Sequence, residues 1–193
     1  MPAGRRDAER RPTTGSEAAD HAGRPADPVA VAREICLNQL AARARSRAEL
    51  AATLRRRGVS EDVAEAVLDR LTAVGLVDDG AFAAAYISSA RERRGLGRQA
   101  LAVELRRRGI EPDIVDAATE VIDEADEEEI ARDLVRRRLA SMDRLPEQVR
   151  IRRLVAMLMR RGYSGGLAAR VVREQVTPDD HESEVEEASS EWD

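Results

Sequence analysis

The sequence has no lysine, one cysteine, two histidines and four aromatic residues in 193 positions. Without lysine the chain can form neither a Schiff base nor a G-x-x-x-x-G-K-[ST] phosphate loop. The single Cys36 excludes an intramolecular disulfide. The aromatic residues are Phe82, Tyr86, Tyr163 and Trp192. They are too few for an aromatic-rich sheet or for a platform that stacks nucleic-acid bases.

Catalytic and metal-binding chemistry also lacks its usual residues. Both histidines, His21 and His181, lie near the ends of the chain, in segments whose composition predicts disorder. A zinc site needs several cysteine or histidine ligands. Acids cluster at 78–79 and 123–129 and could bind Mg²⁺, but helix capping and solvation explain both clusters better. We therefore predict a protein that is not an enzyme, with no catalytic residue, cofactor, metal or small-molecule substrate.

The two ends differ from the middle in charge. Residues 1–28 combine five arginines, five acids and four of the seven prolines, and residues 177–193 contain eight acids and no arginine. Both segments read as disordered tails. Between them, residues 29–176 contain 27 arginines against 24 acids and are therefore mildly basic. No apolar run of membrane-spanning length occurs, so we expect no membrane partner and a cytoplasmic location.

One pattern recurs three times, at 46–68, 97–119 and 150–172. Each copy has two leucines four residues apart, a basic cluster, a glycine and then spaced apolar residues. The glycines are Gly58, Gly109 and Gly162. Leucines at this spacing share one helical face, and a glycine after them suits the left-handed conformation that ends a helix. Each copy therefore predicts a helix, a tight turn and a second helix.

A further helix is expected before each hairpin, at 29–44, 79–95 and 126–143. The fold class is thus all-α, with about nine helices in three tandem three-helix repeats at 29–77, 78–125 and 126–176. A unit of about 50 residues buries little surface, so we expect neighbouring repeats to share core in an elongated, curved array. One compact nine-helix bundle is the alternative.

The basic clusters occupy the same place in every repeat, at 55–57, 106–108 and 160–161. Arginine in a last helical turn interacts favourably with the helix dipole, which is a purely structural explanation. At 100° per residue, however, Arg56, Arg107 and Arg160 point away from the leucine stripe. We expect these three side chains to be exposed in a row that binds an acidic protein surface or a phosphate backbone.

The middle of the chain contains an ordered motif. It consists of the run from Gly75 to Ala83 (GLVDDGAFA), followed by Tyr86-Ile87, Arg91, Gly97 and the second basic cluster. This motif resembles the central signature of the RecX family. The third copy, from Leu154 to Tyr163, also fits that family, and the resemblance covers residues 29–176. It implies a nonenzymatic protein that binds RecA recombinase filaments on DNA. Such a protein would restrain strand exchange, ATP hydrolysis and coprotease activity in DNA repair and the SOS response. The modest net charge of residues 29–176 and the acidic tail argue that any direct binding to single- or double-stranded DNA is weak.

Two groups of residues are assigned roles. Structural roles fall to Asp79 as a helix cap, to Phe82 and Tyr86 as core anchors, and to Leu101, Leu105 and Gly109 in the second hairpin. The predicted partner-binding residues are Arg56, Arg91, Arg94, Arg98, Arg107, Arg108, Arg160 and Arg161. Two alternatives remain: direct DNA binding by helix-turn-helix-like units, and a generic helical scaffold for another partner.

Overall fold

The computed structural model describes residues 27–177, which form nine α-helices and no strand. The helices are α1 (Pro28–Ala42), α2 (Arg47–Arg56), α3 (Glu61–Ala73), α4 (Asp79–Arg94), α5 (Arg98–Arg107), α6 (Pro112–Glu120), α7 (Glu124–Leu139), α8 (Glu147–Arg160) and α9 (Gly165–Val176). The all-α prediction is confirmed. The predicted tails lie outside the described residues, except for the few positions where they meet α1 and α9.

Each repeat consists of three consecutive helices that pack on one another: α1 to α3, α4 to α6 and α7 to α9. Every helix pair with extensive contact lies within one such triplet. The described residues therefore form three tandem three-helix repeats and not one compact bundle.

The turn between the second and third helix of each repeat uses the glycine that the sequence pattern singled out. Gly58, Gly109 and Gly162 have φ of 79°, 76° and 88°. Only glycine enters this left-handed region without steric cost, so a helix can end there and reverse direction within a few residues. The predicted hairpin is confirmed in all three copies.

The core consists of three separate clusters, one in each repeat. Leu50 and Leu54 belong to the first, Leu101 and Leu105 to the second, and Leu154 and Leu158 to the third, and all six are at most 1% exposed. No buried residue is shared between clusters. The expectation of a shared core was therefore wrong. Each repeat buries its own leucine stripe against its own third helix.

The repeats are joined instead by polar junctions. At the first junction, Ser46 Oγ donates to the carbonyl oxygen of Arg108 at 2.8 Å. At the second, the main-chain N–H of Gly97 donates to the carbonyl of Arg161 at 2.8 Å, and that of Gln99 to the carbonyl of Gly162 at 3.1 Å. In both cases the start of one repeat's second helix meets the glycine turn of the next repeat.

Asp79 does not cap the helix that it begins. The N-cap of α4 is Asp78, whose Oδ1 accepts from the N–H of Ala81 at 2.8 Å, and Asp79 is the first helical residue. Asp79 Oδ1 accepts instead from the main-chain N–H of Arg47 at 2.8 Å. The assignment of Asp79 as the cap of its own helix was wrong, because it caps α2 of the preceding repeat.

The limits of the three helices predicted before the hairpins also shift. The first helix ends at Ala42 because Arg43 is extended, and the fourth ends at Arg94 because Gly95 is left-handed with φ of 57°. The seventh begins two residues before the predicted start, at Glu124, because Asp123 Oδ1 accepts from the N–H of Ala125. Its end at Leu139 also precedes the predicted one.

Candidate functional site

The arginine two positions before each turn glycine is exposed, as predicted. Arg56 and Arg107 lie in the last turns of α2 and α5, and Arg160 is the last residue of α8. Arg56 Nη2 donates to Thr53 Oγ1 at 3.0 Å on its own helix. Among the described residues none of the three forms a salt bridge. Their guanidinium groups are available to an anionic partner.

Arg108 contributes to the first junction. Its Nη1 donates to Glu49 Oε1 at 2.7 Å, and its guanidinium carbon lies 4.7 Å from the centroid of the Tyr86 ring. The Glu49 carboxylate thus binds the next repeat. Ser46 and Glu49 have the spacing of a capping box, but only its serine half forms: Ser46 Oγ accepts from the N–H of Glu49 at 3.1 Å.

Arg94 belongs to a polar cluster around Tyr86. Its Nη1 donates to Glu104 Oε1 at 3.0 Å, and the Tyr86 hydroxyl donates to the same carboxylate. The hydrogen bond from Arg94 is the main reason why the pKa of Glu104 falls below its ordinary value of 4.5, and the Tyr86 hydroxyl adds to it. Phe82 is buried and stacks on Tyr86 with ring centroids 6.3 Å apart. Phe82 is a core anchor as predicted, whereas Tyr86 is half-buried at the core's edge.

Arg98 and Arg161 also make internal contacts. Arg98 Nη2 donates to the carbonyl of Ile122 at 2.6 Å, and its main-chain N–H donates to Glu127 Oε1 at 2.7 Å. Arg161 Nη1 donates to the carbonyl of Arg94 at 2.5 Å. Nearby, the buried Tyr163 hydroxyl donates to the carbonyl of Gly95 at 3.2 Å, and burial raises the Tyr163 pKa to about 12. These side chains position the second junction, so their role in partner binding stays a prediction.

Two clefts bring some of the predicted arginines together. The first, between α4, α7 and α8, is lined by Arg91, Arg94 and Arg161 along with Arg93, Arg137 and Arg138. The second, between α7 and α8, has a volume of about 750 Å³ and is lined by Arg138, Arg152, Arg153, Arg160 and Arg161 with Met142, Ala156 and Met157. We call the second one the α7–α8 basic cleft. Neither cleft includes Arg56, Arg98, Arg107 or Arg108.

The α7–α8 basic cleft concentrates positive charge because no carboxylate lines it. Arg138, Arg152, Arg153 and Arg160 take part in no salt bridge within residues 27–177. Guanidinium groups at such a density repel one another, and a bound polyanion relieves that repulsion while accepting several charge-assisted hydrogen bonds. The cleft is therefore suited to a phosphate backbone or an acidic protein segment.

Three arginines of this cleft are absent from the predicted partner-binding residues: Arg138, Arg152 and Arg153. Arg153 and Arg160 are seven residues apart, and Ala156 and Met157 lie between them on the same helical face. That spacing could have predicted the α8 side of the cleft. The position of Arg138 beside α8 could not be predicted from the sequence, because it depends on how α7 and α8 pack.

The described residues contain no group of three or more His, Cys, Asp or Glu side chains placed to bind a metal ion. Cys36 is fully buried in the first cluster, as expected for a core residue, and burial raises the pKa of its thiol. Within the described part of the chain, no helix combines the length and the apolar character needed to span a bilayer.

Family models match all three repeats in order. The first three-helix domain of RecX matches residues 32–71, the second matches 78–118 and the third matches 126–172. The chain belongs to the RecX family. The RecX matches thus coincide with the three helix triplets.

Curated RecX proteins align over most of this chain. The regulatory protein RecX of Thermobifida fusca is 53% identical over 152 residues, covering 79% of this chain and 82% of the relative. That of Streptomyces coelicolor is 46% identical over 171 residues, covering 89% and 91%. These relatives support a regulatory role for the chain.

Two solved RecX structures have the same fold. RecX from Lactobacillus salivarius superposes with a TM-score of 0.73 at 19% identity, covering 78% of this chain and 97% of that one. A second RecX structure gives a TM-score of 0.69 at 24% identity, covering 80% and 73%. The tandem three-helix architecture is therefore a RecX fold that persists at low sequence identity.

Proposed function

We propose that this RecX protein binds RecA recombinase filaments assembled on DNA and modulates them, mostly by inhibiting recombinase, ATPase and coprotease activity. It would thereby act in DNA repair, DNA recombination and the SOS response, in the cytoplasm and without catalysis of its own. The observation that carries the proposal is the match of all three repeats to the RecX domains.

The array suits a periodic target. In each repeat the last residue of the second helix is an exposed arginine, and the third repeat adds the α7–α8 basic cleft. A nucleoprotein filament offers repeated protein surfaces alongside a phosphate backbone. Several weak contacts made by one rigid body gain from high effective concentration, so the affinity can exceed that of any single contact.

The experiment measures two properties of filaments formed by the cognate recombinase on single-stranded DNA. The first is whether the RecX chain co-sediments with the filaments, and the second is the rate of DNA-dependent ATP hydrolysis as the chain is titrated. We expect co-sedimentation and a lowered rate. A chain that neither co-sediments nor alters ATP hydrolysis would contradict the proposal.

Variants connect the activity to the cleft. The double substitution Arg153→Glu and Arg160→Glu should raise the concentration needed for half-maximal inhibition about tenfold or more, which corresponds to a loss of ~1.4 kcal/mol. The matched control is Arg33→Glu with Arg70→Glu, which reverses two exposed arginines of the first repeat outside the cleft. Arg107→Glu tests the exposed arginine of the second repeat separately.

Direct DNA binding is the second candidate, and the free guanidinium groups of the α7–α8 basic cleft favour it. If four arginines each neutralise one phosphate, the log-log slope of affinity against salt on double-stranded DNA should be about −3.6. The measurement is fluorescence anisotropy of labelled DNA without recombinase. A flat salt dependence would exclude this candidate and leave filament binding as a protein-mediated process.

A further inference from the structure

A groove with an acidic rim, distinct from the two arginine-lined clefts, lies between the second and third repeats. It is open and has a volume of about 1010 Å³, and it is formed by α4, α6 and α7. Its lining includes the apolar side chains Ala84, Ile87, Ala117, Val121 and Ile130. Val121 is 82% exposed, the highest value among the exposed large hydrophobic residues of the described chain. Apolar surface left open in this way marks a docking site for another apolar surface.

The rim of this groove is acidic. Five carboxylates line it, from Glu92, Asp113, Asp126, Glu129 and Asp133, against one cation, Arg91. Only Asp133 forms a salt bridge among the described residues, with Arg136 and Arg137. Charge complementarity therefore selects a basic occupant and excludes a phosphate backbone. The groove and the α7–α8 basic cleft must receive different parts of a target.

The apolar floor and the acidic rim require two properties of one occupant. An amphipathic helix has an apolar stripe on one face, and basic side chains beside that stripe complement the carboxylates of the rim.

We propose that the α4–α6–α7 groove binds a basic amphipathic helix from a partner protein. The helix places its apolar stripe on Ile87, Val121 and Ile130, and its Lys or Arg side chains beside the acidic rim. Amphipathic helices commonly dock into apolar grooves in this way. This goes beyond the proposed function, since it assigns a protein-binding surface distinct from the arginine clusters.

The test uses the full chain and a fluorescein-labelled synthetic peptide of about 14 residues, with Leu and Lys at helical period. Two comparison peptides have the same composition in scrambled order or Glu in place of Lys. Fluorescence anisotropy measures binding. We expect the basic amphipathic peptide to bind at least about tenfold more tightly than either comparison peptide.

Variants place the binding in the groove. Ala117→Arg puts a cation among the apolar lining and should weaken the peptide at least about tenfold, whereas Ala66→Arg should leave its affinity unchanged. Ala66 is exposed and occupies the equivalent place in the first repeat, 51 residues earlier. Val121→Arg is a second groove variant at an exposed position, for use if Ala117→Arg perturbs folding. Asp113→Asn with Glu129→Gln should weaken the peptide and flatten its salt dependence.

Several results would overturn the proposal. These are equal binding of the scrambled peptide, equal losses in Ala66→Arg and Ala117→Arg, or no loss in either groove variant. Self-association of the wild-type chain that Ala117→Arg abolishes would assign the groove to a second copy instead. Recombinase ATP hydrolysis is measured with the same variants. A wild-type chain that binds the peptide through the groove but neither co-sediments with the filaments nor alters ATP hydrolysis would contradict the proposed function alone.

Discussion

The carboxylate of Asp79 binds the main-chain N–H of Arg47 at 2.8 Å, so a side chain of the second repeat caps a helix of the first. The second junction repeats the relationship, with Glu127 accepting from the main-chain N–H of Arg98 at 2.7 Å. The first N–H groups of a helix have no intrahelical partner. For α2 and α5 the following repeat supplies the missing acceptor. The local stability of these two helices therefore depends on the presence of the following repeat.

Removing the first cross-repeat cap should cost a measurable part of the stability. Asp79→Ala should lower the free energy of unfolding by about 1 kcal/mol, as removal of a helix cap typically does. Asp79→Asn should restore most of this loss, because its side-chain oxygen accepts the same bond. Urea unfolding measures the difference, and amide hydrogen exchange at Arg47 localises it. Equal losses in the alanine and asparagine variants would mean that the hydrogen bond is not responsible.

The glycine turns provide a matched pair for testing the junction. Gly58 and Gly109 have φ of 79° and 76°, but a Cβ on Gly58 would meet open space while one on Gly109 would lie 2.3 Å from Ala48 Cβ. Gly58→Ala should cost about 1–2 kcal/mol, for the left-handed backbone alone. Gly109→Ala should cost at least about 1 kcal/mol more, because it also forces the first two repeats apart. Similar losses of unfolding free energy for the two variants in chemical denaturation would show that the contact between position 109 and Ala48 adjusts without cost.

Separate cores predict local effects of core substitutions. Leu105 is fully buried in the second cluster and Leu154 in the third. Each change to alanine should cost about 2–5 kcal/mol. Hydrogen exchange should rise mainly in α4 to α6 for Leu105→Ala and in α7 to α9 for Leu154→Ala, since stability need not be uniform along a repeat array. Exchange that rises equally in all nine helices would show strong coupling across the polar junctions.

The repeated hairpin was predictable because its determinants are local. Leucines four residues apart and a glycine after the basic cluster specify a helix, a turn and a second helix within about 25 residues of sequence. The exposure of Arg56 followed from the same geometry. These features depend on neighbours along the chain, which a sequence displays directly.

The junctions were not predictable for the opposite reason. Asp79 and Arg47 are 32 residues apart, Arg108 and Glu49 are 59 apart, and Arg161 and Arg94 are 67 apart. No periodicity connects such positions. The arginines that the pattern grouped as one contact surface therefore divide into exposed groups, such as Arg160, and junction groups, such as Arg108. The shared core was expected on grounds of size alone, and that argument gave no weight to polar junctions.

The pKa of Glu104 makes one contribution to stability pH-dependent. Because the hydrogen bonds from Arg94 and Tyr86 lower that pKa in the folded state, the carboxylate stabilises the fold at pH above its ordinary value of 4.5. This stabilisation is lost as the pH falls through the lower, folded-state pKa. Glu104→Gln should therefore be less stable than the wild type at neutral pH, and the difference should shrink as the solution is acidified below the ordinary carboxyl pKa of 4.5.

Urea unfolding of both proteins across that range measures the difference. Glu120→Gln, which removes one exposed carboxylate from the same repeat, corrects for the change in net charge. The difference in free energy of unfolding between Glu104→Gln and the wild type could also stay constant from neutral to acidic pH. That result would mean that the ionised carboxylate contributes no stability. The polar cluster around Tyr86 would then owe its order to the packing of Phe82 and Tyr86.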